Sequence, residues 1–141
     1  MKTLLLGLIS ILFVSCAVNS SETGLKSLKK IKGVSTLYCP FEDKYGSRIA
    51  MSPGIRAKDG YTVAAHSDFK FGTKIYIPAL FGFRGNKNAI FEIQDRGKWI
   101  QSKKASKGKE YVFDFYVNTS KKHMAQLATN VPRDIEVIIL K

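Results

Sequence analysis

The stretch Tyr111-Val112-Phe113-Asp114-Phe115-Tyr116-Val117 constrains this chain more than any other. All of its residues but Asp114 are apolar or aromatic, the pattern of a β-strand buried on both faces. Further short strands are expected around it. Gly33–Cys39 is the first, closed by Pro40, and Phe41 to Gly60 reads as loop, punctuated by Gly46, Pro53 and Gly54. Tyr61–Ala65 and Thr73–Ile77 follow, the latter with Thr73, Ile75 and Ile77 on one face. In Ala89–Asp95 the alternation puts Phe91, Ile93 and Asp95 on one side, and Glu136–Leu140 is the last strand. One helix is predicted after Asn118, Thr119 or Ser120, any of which can cap it. Met124, Leu127 and Ala128 share its apolar face, and Pro132 limits it. Short, turn-bounded strands with a single helix predict a mainly β fold, a small closed barrel.

The chain has 141 residues. It opens on Met1-Lys2-Thr3 and an apolar run from Leu4 to Val14. One positive charge before a short apolar run is the form of a secretory leader. The run is shorter than the roughly 20 apolar residues needed to span a bilayer. Phe13-Val14-Ser15-Cys16 resembles a bacterial lipobox, with Phe13 where Leu is usual. The resemblance implies lipidation at Cys16; ordinary leader cleavage near Ser15 or Ala17 is the alternative. Residues 1–15 are therefore expected to be a leader, 16–32 a polar tether and 33–141 one barrel domain. The expected product is a monomeric, exported lipoprotein held in the cell envelope by its lipid. With Cys16 lipidated, Cys39 stands alone. That excludes a disulfide framework and leaves Cys39 as a structural, half-buried thiol.

The formal net charge is +12. Such a chain seeks polyanions, and export points to wall polymer or anionic lipid rather than nucleic acid. Lys26, Lys29, Lys30 and Lys32, then Lys103, Lys104, Lys107 and Lys109, do not interleave with aromatics as in a single-strand stacking surface. They serve equally well as a solubilising surface.

Two carboxylates sit where a charge is costly. Asp114 interrupts the most apolar strand, and Asp95 ends the apolar face of another. A carboxyl in such a setting is either a general acid with a raised pKa or a structural aspartate bonded to a turn. His66, between a strand and a loop, is on its own a surface or satisfied core histidine.

The run Ala64-Ala65-His66, followed by Gly72-Thr73 and a new strand, resembles the signature of the rare lipoprotein A family. Asp95-Arg96-Gly97 resembles its second motif and Phe113-Asp114-Phe115 its third, so the likeness covers roughly residues 33 to 140. Related barrels occur in the three-aspartate domain of membrane-bound lytic transglycosylase A and in plant expansins. The resemblance implies a six-stranded double-psi β-barrel and lytic cleavage of peptidoglycan glycan strands. Asp114 is then the catalytic acid, assisted by Asp95 and His66, with Thr73, Arg96 and Trp99 as substrate contacts. No metal or cofactor is implied. The same resemblance also allows a non-catalytic wall-binding module of the expansin kind. A metal-dependent hydrolase is disfavoured, because His66, His123, Asp95 and Asp114 lack compact ligand spacing. This chain departs from the family at Phe69-Lys70-Phe71, where Leu-Pro is usual, and at Lys98, where Pro is usual. It also carries an insertion rich in Lys and Ser from Ile100 to Glu110. Trp99, Phe81 and Phe83 are aromatics that could stack on sugar faces or simply pack.

Overall fold

The structure, a computed structural model, describes residues 28–40 and 52–140. The expected leader, Cys16 and the tether as far as residue 27 lie outside the described residues. Six strands form a closed barrel: β1 (Lys29–Tyr38), β2 (Thr62–Ala64), β3 (Lys74–Tyr76), β4 (Ile90–Asp95), β5 (Tyr111–Tyr116) and β6 (Asp134–Ile139). Around the barrel the order is β1-β5-β2-β4-β3-β6, and β6 returns to β1. The β1/β5 and β2/β4 pairs are parallel, and the other neighbours are antiparallel.

The mainly β architecture agrees with the sequence pattern, while the boundaries move. The tether expected to run to residue 32 gives way to strand at Lys29. Lys29 to Lys32 pair with Ile139 to Glu136, and this pairing closes the barrel. The lysine-rich composition suggested a solvated tether. In the strand, Lys29, Lys30 and Lys32 point to solvent while Ile31 packs on the core. The Lys30–Glu136 pair at 3.4 Å is exposed on both sides and adds little.

Inside the barrel, Ile75, Phe91, Ile93, Phe113, Phe115 and Val137 are fully buried. Phe91 and Phe115 meet edge to face, with ring centres 5.0 Å apart. Gly33 is needed for close packing. A Cβ there would lie 2.8 Å from the Phe113 ring, closer than a side chain can approach.

The expected helix is α2 (Lys121–Ala128), with the Ser120 hydroxyl accepting the His123 N–H at 3.3 Å. Its apolar face is not sunk in a core. Met124 and Leu127 are half-buried and Ala128 is exposed, because the barrel supplies its own closure. A second helix, α1 (Lys98–Gln101), was not anticipated, nor were the 3-10 turns Pro78–Leu80, Phe83–Gly85 and Lys104–Ser106. The Lys- and Ser-rich insertion is thus largely folded. Its Ile100 joins Tyr38, Ala64, Val112 and Tyr116 in a second apolar cluster on the outer face of the barrel. Among the described residues, no helix is long and apolar enough to cross a membrane.

Candidate active site

Asp95 reaches its position through an irregularity in β4. Val63 pairs with Ile93, but the next residue, Ala64, pairs with Asp95, so Gln94 is an extra residue in β4. A bulge of this kind breaks the two-residue period. The alternation had placed Asp95 with Phe91 and Ile93. The bulge instead turns it away from the barrel interior onto the outer face. Gln94 is fixed there by the Thr62 hydroxyl at 2.6 Å and by its own amide bond to Glu92 at 3.0 Å.

Asp114 lies on the same outer face. The flanking Phe113 and Phe115 point inward, and Asp114 is half-buried rather than enclosed on both sides. Register places Thr36 opposite Asp114, Asp114 opposite Ala64, and Ala64 opposite Asp95. The two carboxylates therefore stand on either side of one small side chain. With strands about 4.8 Å apart, their backbones are roughly 10 Å apart.

Each carboxylate is held by a hydroxyl from β1. Thr36 donates to Asp114 Oδ1 at 2.6 Å, and Tyr38 donates to Asp95 Oδ2 at 2.9 Å. Asp95 Oδ1 accepts the Arg96 backbone N–H at 2.7 Å. Burial pushes the Tyr38 phenol well above its ordinary range. The Asp95 charge and the hydrogen bond given to it act in the same direction, with smaller contributions from Asp114 and Tyr116. Tyr38 thus stays protonated and remains a donor to Asp95.

These groups face an open cavity of about 960 Å³. Thr36, Tyr38, Ala64, Asp95 and Asp114 lie along it, and Ile100, Ala105 and Val112 give it apolar walls. Trp99, Lys104, Lys121 and Met124 line it too. Trp99 is 61% exposed, with the Lys104 ammonium over its ring. Cys39, a free and fully buried thiol, also borders the cavity.

The structure brings Asp95, Asp114, Arg96 and Trp99 to one cavity and leaves His66 and Thr73 out of its lining. The turn after Ala65 aims His66 elsewhere. Its Nδ1 lies 3.2 Å from Asp68 Oδ2, and its ring meets Tyr111 edge to face. Tyr111 in turn donates to Asp68 at 2.6 Å, and this bond lowers the Asp68 pKa against the opposing effect of burial, helped by the His66 and Lys103 charges. Thr73 lies just before β3, on the far side of β4 from β2. Arg96 lines the cavity, but its guanidinium is engaged by the Ala65, Asp95 and Phe69 carbonyls and stacks on Phe71 at 4.0 Å. Burial lowers its pKa, against the opposing charge of Asp95. It is a brace for the turn carrying His66 more than a contact for a ligand. Gln101 of α1 braces the same turn through Ser67 N–H and the Ala65 carbonyl. Phe81 is exposed outside the cavity, and Phe83 packs near Phe115.

Thr36, Tyr38, Lys104 and Lys121 are site residues that the motifs did not reveal. For Thr36 and Tyr38 the one signal was a pair of hydroxyls at alternate positions near the end of β1. Among the described residues, no group of three or more His, Cys, Asp or Glu could hold a metal ion. No family model matches the chain, and no match was found among curated proteins.

Proposed function

We propose that the chain is an exported, lipid-anchored lytic transglycosylase of the rare lipoprotein A kind, acting on peptidoglycan glycan strands. The observation carrying this reading is the pair Asp95 and Asp114, flanking Ala64 on one face of an open cavity. The two parallel strand pairs and the crossed strand order support a double-psi form of the barrel. In the reaction, Asp114 gives its proton to the glycosidic oxygen as the bond to the anomeric carbon breaks. The resulting carboxylate takes the proton of the sugar's own 6-hydroxyl, whose oxygen closes on the anomeric carbon. The product is a 1,6-anhydro sugar, and the proton is returned to Asp114. No water is consumed, and the tethered nucleophile replaces the second reacting carboxylate of a hydrolase. Thr36 orients Asp114, Asp95 supplies the second charge beside it, and Trp99 offers a face for a sugar ring. His66 acts through the turn it stabilises, not by touching the reacting atoms.

The test is incubation of the full-length protein with intact and peptide-stripped peptidoglycan, followed by mass analysis of released fragments. Anhydro-ended sugars that disappear in Asp114→Asn support the assignment. Sedimentation with the glycan without release of sugars replaces it with a non-catalytic wall-binding module, for which the exposed Trp99 and the same cavity would provide the contacts.

A further inference from the structure

A second cleft, of about 690 Å³, lies at the opposite ends of β2 and β4 from the carboxylate pair. It shares no lining residue with the first. Lys58 and Gly60 come from the segment leading into β2, Lys74 from β3, and Arg84, Lys87 and Asn88 from the segment leading into β4. Its walls are fastened together. Arg84 makes a two-pronged ion pair with Asp59, its Nε 3.0 Å from Oδ1. The Asn86 side-chain amide donates to the Gly60 and Ile90 carbonyls at 3.0 and 2.8 Å. Gly60 has a positive φ of 66°, and a Cβ there would lie 2.5 Å from that of Arg84, so the two walls are in direct contact.

Asp59 is spent on Arg84, and the nearby Glu92 accepts from Tyr61 and Gln94. Lys58, Lys74 and Lys87, each exposed, have no salt bridge among the described residues. The Lys58 ammonium lies 5.2 Å from the Tyr61 ring centre. Gathering like charges around one preformed cleft raises their mutual repulsion, which a bound anion relieves.

We infer that this cleft is a binding site for anionic phosphate groups, separate from the carboxylate cavity. The choice of phosphate follows from the donors. The guanidinium fork that would suit a carboxylate is already occupied by Asp59, whereas lysine ammoniums act as point charges on compact phosphates. Such phosphate could come from an anionic phosphodiester polymer or from lipid headgroups.

The experiment is calorimetric titration of the full-length protein with inorganic tripolyphosphate. It compares Lys58→Gln/Lys74→Gln/Lys87→Gln with a charge-matched variant, Lys32→Gln/Lys107→Gln/Lys109→Gln, after circular dichroism has established that both are folded. Saturable binding weakened at least tenfold in the cleft variant, and less than threefold in the matched one, is the expected result. Equal losses, or no saturable binding, overturn the site. A glycerol phosphate polymer and phosphatidylglycerol vesicles, read with the same variants, identify the source. Loss confined to the cleft variant for either ligand supports the site, and full retention of both overturns it. Asp114→Asn should leave tripolyphosphate affinity unchanged, so this result does not depend on whether the glycan reaction occurs.

Discussion

Tyr38 couples the geometry of the carboxylate pair to pH. Its folded-state pKa is raised by burial first and by Asp95 next. A group shifted this way contributes its stability in full below its unfolded value of about 10 and loses it as pH rises further. The melting temperature of the wild type is therefore expected to fall above about pH 10. In Tyr38→Phe that alkaline fall should be shallower, with a lower starting value at pH 7 because Asp95 loses a donor. Identical alkaline limbs in the two proteins would remove Tyr38 from this role. Thr36→Val should lower any glycan-cleaving rate about tenfold or more by removing the hydroxyl that orients Asp114 Oδ1, with little change in melting temperature. Steady-state rates alongside thermal melts would check this. Asp95 and Asp114 were legible in the sequence because a charge stands out in an apolar strand. Their hydroxyl partners were not, because a Thr and a Tyr fit a strand equally well with or without a partner. His66 and Thr73 were placed in the site by motif. The turn that follows Ala65 carries His66 toward Asp68 and Tyr111 instead.

At the scale of elements, the bulge at Gln94 determines which face Asp95 joins. Deleting Gln94 would remove the extra residue and leave Asp95 next to Ile93, still on the outer face, but would take away the partner of the buried Thr62 hydroxyl. Leaving a buried group without its hydrogen-bond partner costs about 1–3 kcal/mol. Urea unfolding of this deletion is expected to show a correspondingly lower midpoint, or the protein should fail to accumulate in soluble form. A midpoint equal to wild type would mean that the bulge and its hydrogen bonds add nothing to stability. Alternation gave the existence and order of the strands, because a two-residue period survives in every long enough run. It could not give the bulge, because Gln94 continues the polar alternation set by Glu92. Nor could it give the strand at Lys29–Lys32, since three lysines in four residues resemble a solvated tether. The Lys and Ser content of the insertion carries no sign of its fold, and the single buried Ile100 is what anchors it.

For the whole molecule, stability rests on the aromatic filling of a small barrel. Phe113 is fully buried, packs against the Gly33 backbone and neighbours Phe69, with ring centres 5.5 Å apart. Phe113→Ala is expected to cost about 3–5 kcal/mol, measured by chemical denaturation. A cost under about 1 kcal/mol would mean that the barrel interior collapses to fill the space. The barrel also has a seam, where the first strand meets the last: Lys29 lies beside Ile139, and Val34 beside Asp134. During synthesis every other strand is complete before this seam can be sewn. Contacts so distant in sequence form slowly, and a nascent chain ending before Asp134 has an open sheet with bare edges on β1 and β3. The polypeptide consequently stays threadable until its final strand emerges, a delay that suits the export proposed above.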